Sequence, residues 1–266
     1  MLETLRSNII GSSDRNLVIL HGLYGNSDSW IRVAKDLTDF FTVHMLDLRN
    51  HGESFLSDEH NYPVMSEDLY LYFRSKGIQS ANLIGHSMGG KVAMEFAAKY
   101  SQMIDKMVIA DISPRSHKAL LDYDKTSNFH LNLLYLMKSI NLEDYTEYIE
   151  LSKLLLPYGE TVKNVVLKNI AKLDGKFSWK INVDSLLNNL PYIMEGLDPD
   201  DFIDNKISVE TLFLQAENSN YITNSDKKLI DFIFNKYYFK LIQNAGHWLH
   251  YDNPADTSNA IKEFLL

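Results

Sequence analysis

The chain contains no cysteine. Disulfides, thiolate metal sites and a cysteine nucleophile are therefore excluded together. It also lacks a basic run, and its formal net charge is −9, so nucleic-acid binding has no electrostatic support. No apolar stretch approaches the length that spans a bilayer. The start, Met1-Leu2-Glu3-Thr4-Leu5-Arg6-Ser7, has no charged region leading into an apolar segment of the secretory kind. Internal repeats and low-complexity linkers are missing as well. These absences set the expectation of a soluble cytoplasmic protein without stable membrane insertion; oligomeric state is not legible. What is abundant is apolar. Hydrophobic residues make up 45% of the 266 positions, enough for a large core in one α/β domain that carries an insertion.

Short apolar runs alternate with segments of helical period. Leu17 to Leu20, Thr42 to Leu48, Ala81 to Ile84, Lys106 to Ser113, Thr211 to Glu217 and Tyr237 to Ile242 read as strands. Trp30 to Phe40, Met65 to Lys76, Lys91 to Tyr100, Ser225 to Asn235 and Asp256 to Leu266 read as helices. The alternation predicts a mostly parallel twisted sheet with helices on both faces. Residues 115–205 break this rhythm. They carry helical patterns, such as Leu131, Leu134, Tyr135 and Lys138, and no buried-strand run. Aromatics are concentrated there, among them Phe177, Trp179 and Tyr192. We read a helical cap at 115–205, inserted between core segments 1–114 and 206–266.

The chain's chemistry centres on Leu83-Ile84-Gly85-His86-Ser87-Met88-Gly89-Gly90. A strand runs into Gly-x-Ser-x-Gly and then into a helix. A serine on so tight a turn has backbone pressed against it on both sides, which selects glycine two residues before and two after. The turn lifts the hydroxyl off the sheet edge. It also sets the N–H of Met88 at a helix N-terminus, where developing negative charge is stabilised. Serine is a poor nucleophile unaided and needs a base with an acid behind it.

Functional groups in a parallel sheet gather past the carboxyl ends of the strands. His21, His51, His86 and His247 lie at such positions. His86 adjoins Ser87 but points the wrong way on a sharp turn. His21 and His51 sit in loops whose glycines indicate structural duties. His247 follows the last strand after Ala245-Gly246 and is the candidate base; His250 is its weaker rival. Two carboxylates compete as the acid: Asp111, at the end of the strand after the nucleophile helix, and Glu217, at the end of the strand after the insertion. An oxyanion needs a second N–H donor beside Met88, and Leu23 in the His21-Gly22-Leu23-Tyr24-Gly25 loop is placed to supply it.

With these pieces in hand, the chain resembles the α/β-hydrolase family. The resemblance is carried by His21-Gly22-Leu23-Tyr24-Gly25, by Asp47-Leu48-Arg49-Asn50-His51-Gly52-Glu53-Ser54, by Gly85 to Lys91, and by Ala245-Gly246-His247-Trp248. Within that family it is similar to the YbfF-type esterases, with Asp111-Ile112-Ser113-Pro114 and Trp179-Lys180-Ile181-Asn182 adding to the match. The resemblance implies Ser87 as nucleophile, His247 as base, and Leu23 and Met88 as oxyanion donors. The wider family's usual acid position falls on Glu217. The subgroup's falls on Asp111, which is preferred. No metal and no organic cofactor is implied. The expected activity is cleavage of a small carboxylic ester or thioester through an acyl-enzyme. A cofactor-free C–C hydrolase or perhydrolase on the same triad is the alternative among enzymes. A non-catalytic binding protein of the same fold is the alternative outside them. Tyr24, Trp179 and Trp248 are the candidate substrate contacts, and the insertion's aromatics and leucines point to an apolar acyl chain.

Overall fold

The computed structural model describes residues 4–118 and 129–266. Residues 119–128, within the expected cap, and Met1-Leu2-Glu3 of the start lie outside the described residues. Seven strands form one sheet: β1 (Ser7–Ile10), β2 (Asn16–Leu20), β3 (Thr42–Leu46), β4 (Ala81–His86), β5 (Ile104–Ala110), β8 (Thr211–Ala216) and β9 (Tyr237–Ile242). Their spatial order is β1-β3-β2-β4-β5-β8-β9. Only β1 runs antiparallel to its neighbour; every other pairing is parallel.

The period-two alternation of side chains sorts the sheet's residues onto two cores. Val18, Leu20, Leu83, Met107, Ile109 and Phe213 point to one face. There they pack against helix α2 (Tyr62–Lys76) and helix α3 (Met88–Tyr100). Leu17, Ile19, Ile84, Val108, Leu212 and Leu214 point to the other. They meet helix α1 (Ile31–Lys35) and helix α10 (Pro254–Leu265). Both faces are covered, which is why these strands read as continuous apolar runs.

Between β5 and β8 the chain forms helices α4 (Phe129–Ser139), α5 (Tyr148–Leu155), α6 (Glu160–Leu167) and α7 (Val183–Ile193). It also forms a two-stranded hairpin, β6 (Ile170–Leu173) with β7 (Lys176–Trp179). The hairpin adds two short, mostly exposed strands to a stretch read as helical and without a buried-strand run. Its turn is Asp174-Gly175, both at positive φ (49° and 78°), the Asp-Gly pairing that suits a tight hairpin. Two short helices complete the order, α8 (Asp226–Ile233) and α9 (Leu249–Asp252). No helix among the described residues is long and apolar enough to cross a membrane.

The stretch between β5 and β8 docks on the loop after β3. The N–H of Asn182 donates to the carbonyl of Asn50 at 2.9 Å, and its side-chain amide donates to Asn50 Oδ1 at 3.1 Å. Asn50 Nδ2 in turn donates to Ser185 Oγ at 3.2 Å. The loop is braced from below by a buried ion pair of Arg49 with Asp68 on α2.

Candidate active site

Ser87 stands between the end of β4 and the start of α3 with φ 52° and ψ −118°. A non-glycine residue in such a conformation costs about 1–3 kcal/mol and persists only where its surroundings hold it. The surroundings are bare backbone. A Cβ on Gly85 would lie 2.4 Å from the carbonyl oxygen of Gly89, and one on Gly89 would lie 2.5 Å from the carbonyl oxygens of Leu20 and His21. The two motif glycines are thus required by contact with backbone that cannot move aside.

His247, on the loop between β9 and α9, places Nε2 2.9 Å from Ser87 Oγ and Nδ1 2.8 Å from Asp111 Oδ2. Nδ1–H donates to the carboxylate, which leaves Nε2 as the acceptor for the serine hydroxyl. Asp111 follows β5, is fully buried, and has φ 48°. Its Oδ1 accepts the N–H of Ala216 at 3.0 Å, and its Oδ2 also accepts the hydroxyl of Ser219. Glu217 lies elsewhere: it is exposed, and its Oε2 accepts the N–H of Asn244 at 2.8 Å.

Two other histidines near the site hold backbone in place. His86 Nε2–H donates to the carbonyl of His247 at 2.8 Å. Burial keeps the His86 imidazole neutral by pushing its pKa well below the ordinary value. His21 Nδ1–H donates to the carbonyl of Gly22 at 2.8 Å, and its Nε2 accepts the N–H of Leu48 at 3.0 Å. Burial lowers its pKa to about 4, so this tautomer persists at neutral pH and fixes the loop that carries Leu23. His60 Nε2–H points at Met88 Sδ, 3.4 Å away, while its Nδ1 accepts from Asn50 Nδ2. No protein acceptor among the described residues takes the N–H of Leu23 or of Met88.

Beside Ser87 lies a narrow cavity of about 30 Å³, room for a few water molecules. Leu23, Tyr62, Met88, Ile112, Ile193 and Met194 form its apolar wall, and Lys91, His117, His130 and Tyr221 its polar end. A second, open groove of about 520 Å³ runs past His247, Arg115, Ser219, Asn220 and Tyr221. Of the candidate substrate contacts, Tyr24 is buried under the site, where its hydroxyl donates to the carbonyl of His130 and its ring stacks on that imidazole. Trp248 packs edge-on against His247 and lines a small recess with Gly22 and His250. Trp179 sits in the β6–β7 hairpin and is not among the described lining of the cavity. His250, the weaker rival base, is buried and stacks on Trp30.

Several site residues escape sequence reasoning. Tyr221 stacks on the His247 ring with centroids 3.9 Å apart and an interplanar angle of 22°. Ser219 reaches Asp111, and Lys91, His117 and His130 meet at the cavity. The one sequence signal was Lys91, a lysine on the buried face of a helix otherwise packed with alanine, valine and methionine. No group of three His, Cys, Asp or Glu among the described residues could hold a metal ion.

A family model for the alpha/beta hydrolase fold matches residues 15–135. The chain is 31% identical to the sn-1-specific diacylglycerol lipase ABHD11 of Mus musculus, over 94% of this chain and 80% of the mouse protein. It is 30% identical to the esterase YbfF of Escherichia coli strain K12, over 94% of this chain and 92% of the bacterial one. Among solved structures, a marine microorganism esterase superposes with a TM-score of 0.91 at 38% identity, covering 99% of this chain and 100% of that one. Fold, strand order and these relatives agree, and the chain belongs to the α/β-hydrolase family of enzymes.

Proposed function

We propose that the protein hydrolyses carboxylic esters, and thioesters by the same chemistry, with Ser87, His247 and Asp111 as its triad. Ser87 Oγ attacks the acyl carbon while His247 Nε2 takes its proton. Asp111 holds the imidazole in its productive tautomer and stabilises the imidazolium. The N–H groups of Leu23 and Met88 receive the oxyanion. His247 then protonates the departing alkoxide or thiolate, and water, deprotonated in turn by His247, releases the acid from Ser87. Residues 115–205 act as the cap over this site, with 1–114 and 206–266 as the core.

The observation that carries this reading is the unbroken hydrogen-bonded line from Ser87 Oγ through His247 to a buried carboxylate, with contacts of 2.9 and 2.8 Å. The esterase relatives support the reaction class. Hydrolysis of p-nitrophenyl acetate and of acetyl-CoA tests it. Ser87→Ala is expected to lose about 10⁴-fold or more in kcat on both. Retention of most activity would overturn the proposal.

A further inference from the structure

One ring lies nearly flat on the imidazole of His247. Tyr221, on the loop between β8 and α8, stacks on it with centroids 3.9 Å apart and 22° between the planes. His86 and Trp248 meet the same imidazole at steeper angles, 41° and 70°. The Tyr221 loop is held at three points. The N–H of Tyr221 donates to Ser219 Oγ at 3.3 Å, Arg115 Nη2 donates to the carbonyl of Asn220 at 2.7 Å, and the Tyr221 hydroxyl hydrogen-bonds with His130 Nε2 at 3.2 Å. His130, on α4, is itself fixed from the loop that carries Leu23, where Tyr24 donates to its carbonyl at 3.3 Å and stacks on its ring. Burial, with the charge of Asp111, raises the pKa of the Tyr221 phenol to about 12, so the ring over His247 is uncharged at neutral pH.

Such a contact acts on the base in two ways. A ring at van der Waals distance hinders rotation of the imidazole, so Nε2 and Nδ1 keep their lines to Ser87 and Asp111. The second effect is electrostatic. The face of an aromatic ring attracts a cation within about 6 Å of its centroid. His247 becomes a cation only as it takes the proton of Ser87. The attraction is therefore stronger in the transition state than in the ground state, and an interaction of that kind raises kcat.

Resting on the hydrolase reading above, we infer that Tyr221 is a positioning residue for the reaction. Its ring fixes the plane of the His247 imidazole and stabilises the imidazolium that forms as Ser87 attacks. Tyr221 also lines both the narrow cavity and the open groove, so a plain substrate contact is the rival role that kinetics has to separate.

The full chain is assayed on p-nitrophenyl acetate and p-nitrophenyl butyrate. Tyr221→Leu removes the aromatic face. It is expected to lower kcat about five- to thirtyfold, by the same factor on both esters, with KM within about twofold of the wild-type value. Labelling of Ser87 by a fluorophosphonate should slow by a similar factor, since that reaction uses the Ser87–His247 pair without an acyl chain. Tyr221→Phe keeps the face and loses only the hydroxyl, and it should recover kcat to within about twofold of wild type. Tyr221→Met fills the gap without an aromatic face and keeps the test alive should Tyr221→Leu fail to fold. A KM that rises by different amounts for the two esters, with kcat unmoved, would make Tyr221 a substrate contact and overturn the inference. A Tyr221→Phe enzyme no faster than Tyr221→Leu would overturn it as well. In both cases a wild-type chain that labels and turns over leaves the hydrolase reading standing. A wild-type chain that does neither would remove that reading, and the role of Tyr221 with it.

Discussion

At position 111 one buried carboxylate accepts three hydrogen bonds, from the N–H of Ala216, the hydroxyl of Ser219 and His247 Nδ1–H. The first two hold its oxygens on line with the imidazole. Asp111→Asn is expected to lower kcat about 10⁴-fold, because an amide at that point favours the wrong imidazole tautomer. Glu217→Gln should stay within about twofold, since that side chain touches only the N–H of Asn244. Kinetics of the two variants on one ester check both, and the reverse outcome would move the acid to Glu217. Residues alone left Asp111 and Glu217 both open, for each ends a strand. What separates them is burial and the hydroxyl of Ser219, both products of how β5 and β8 pair. Tyr221 and His130 were illegible for a related reason. Each matters only through a ring or hydrogen-bond partner more than 20 positions away.

Among elements, the strand–turn–helix at β4 and α3 was the most legible, because its spacing rules act within eight residues of chain. The glycine argument can be tested there directly. Gly89→Ala puts a methyl group 2.5 Å from two carbonyl oxygens of the β2 end, so we expect a loss of about 1–3 kcal/mol. Denaturant unfolding measures it, and an unchanged midpoint would contradict the crowding account. The docking loop after β3 is a second element with a definite cost. Arg49 and Asp68 are both buried and paired in two-pronged fashion at 2.5 and 2.8 Å. Arg49→Met leaves that carboxylate unpaired and should cost about 3–5 kcal/mol, read from the same unfolding curves. Edge strand β1 and the hairpin β6–β7 were missed. The first is four half-exposed residues without alternation. The second announced itself only by Asp174-Gly175, and strands of four residues carry too little pattern to oppose a helical background.

Over the whole molecule, the sheet order and the two cores follow from apolar runs that the sequence displays openly, whereas the site's polar network joins residues far apart along the chain, from Ser87 through Asp111 to His247. That network has a consequence for stability. Burial lowers the pKa of His21 and His130 to about 4 and of His51 and His117 to about 3. His60, His86 and His250 are also held well below their ordinary value by burial. The unfolded chain protonates these imidazoles near pH 6.5 and the folded chain does so only at lower pH. The contribution of these imidazoles is therefore full above about pH 6.5 and is lost as pH falls toward the folded values, on the order of 1 kcal/mol per pH unit for each fully buried imidazole. Urea unfolding between pH 7.5 and 5 should show a steep, multi-proton decline; a flat profile would mean that these rings are not buried neutral. The central claim is that one hydroxyl, at position 87, is the activated nucleophile of the molecule. Reaction with a fluorophosphonate, followed by peptide mass mapping, tests it most directly. The account predicts a single adduct on Ser87 that disappears in His247→Ala; an adduct on another residue, or none on the folded wild-type chain, would contradict it.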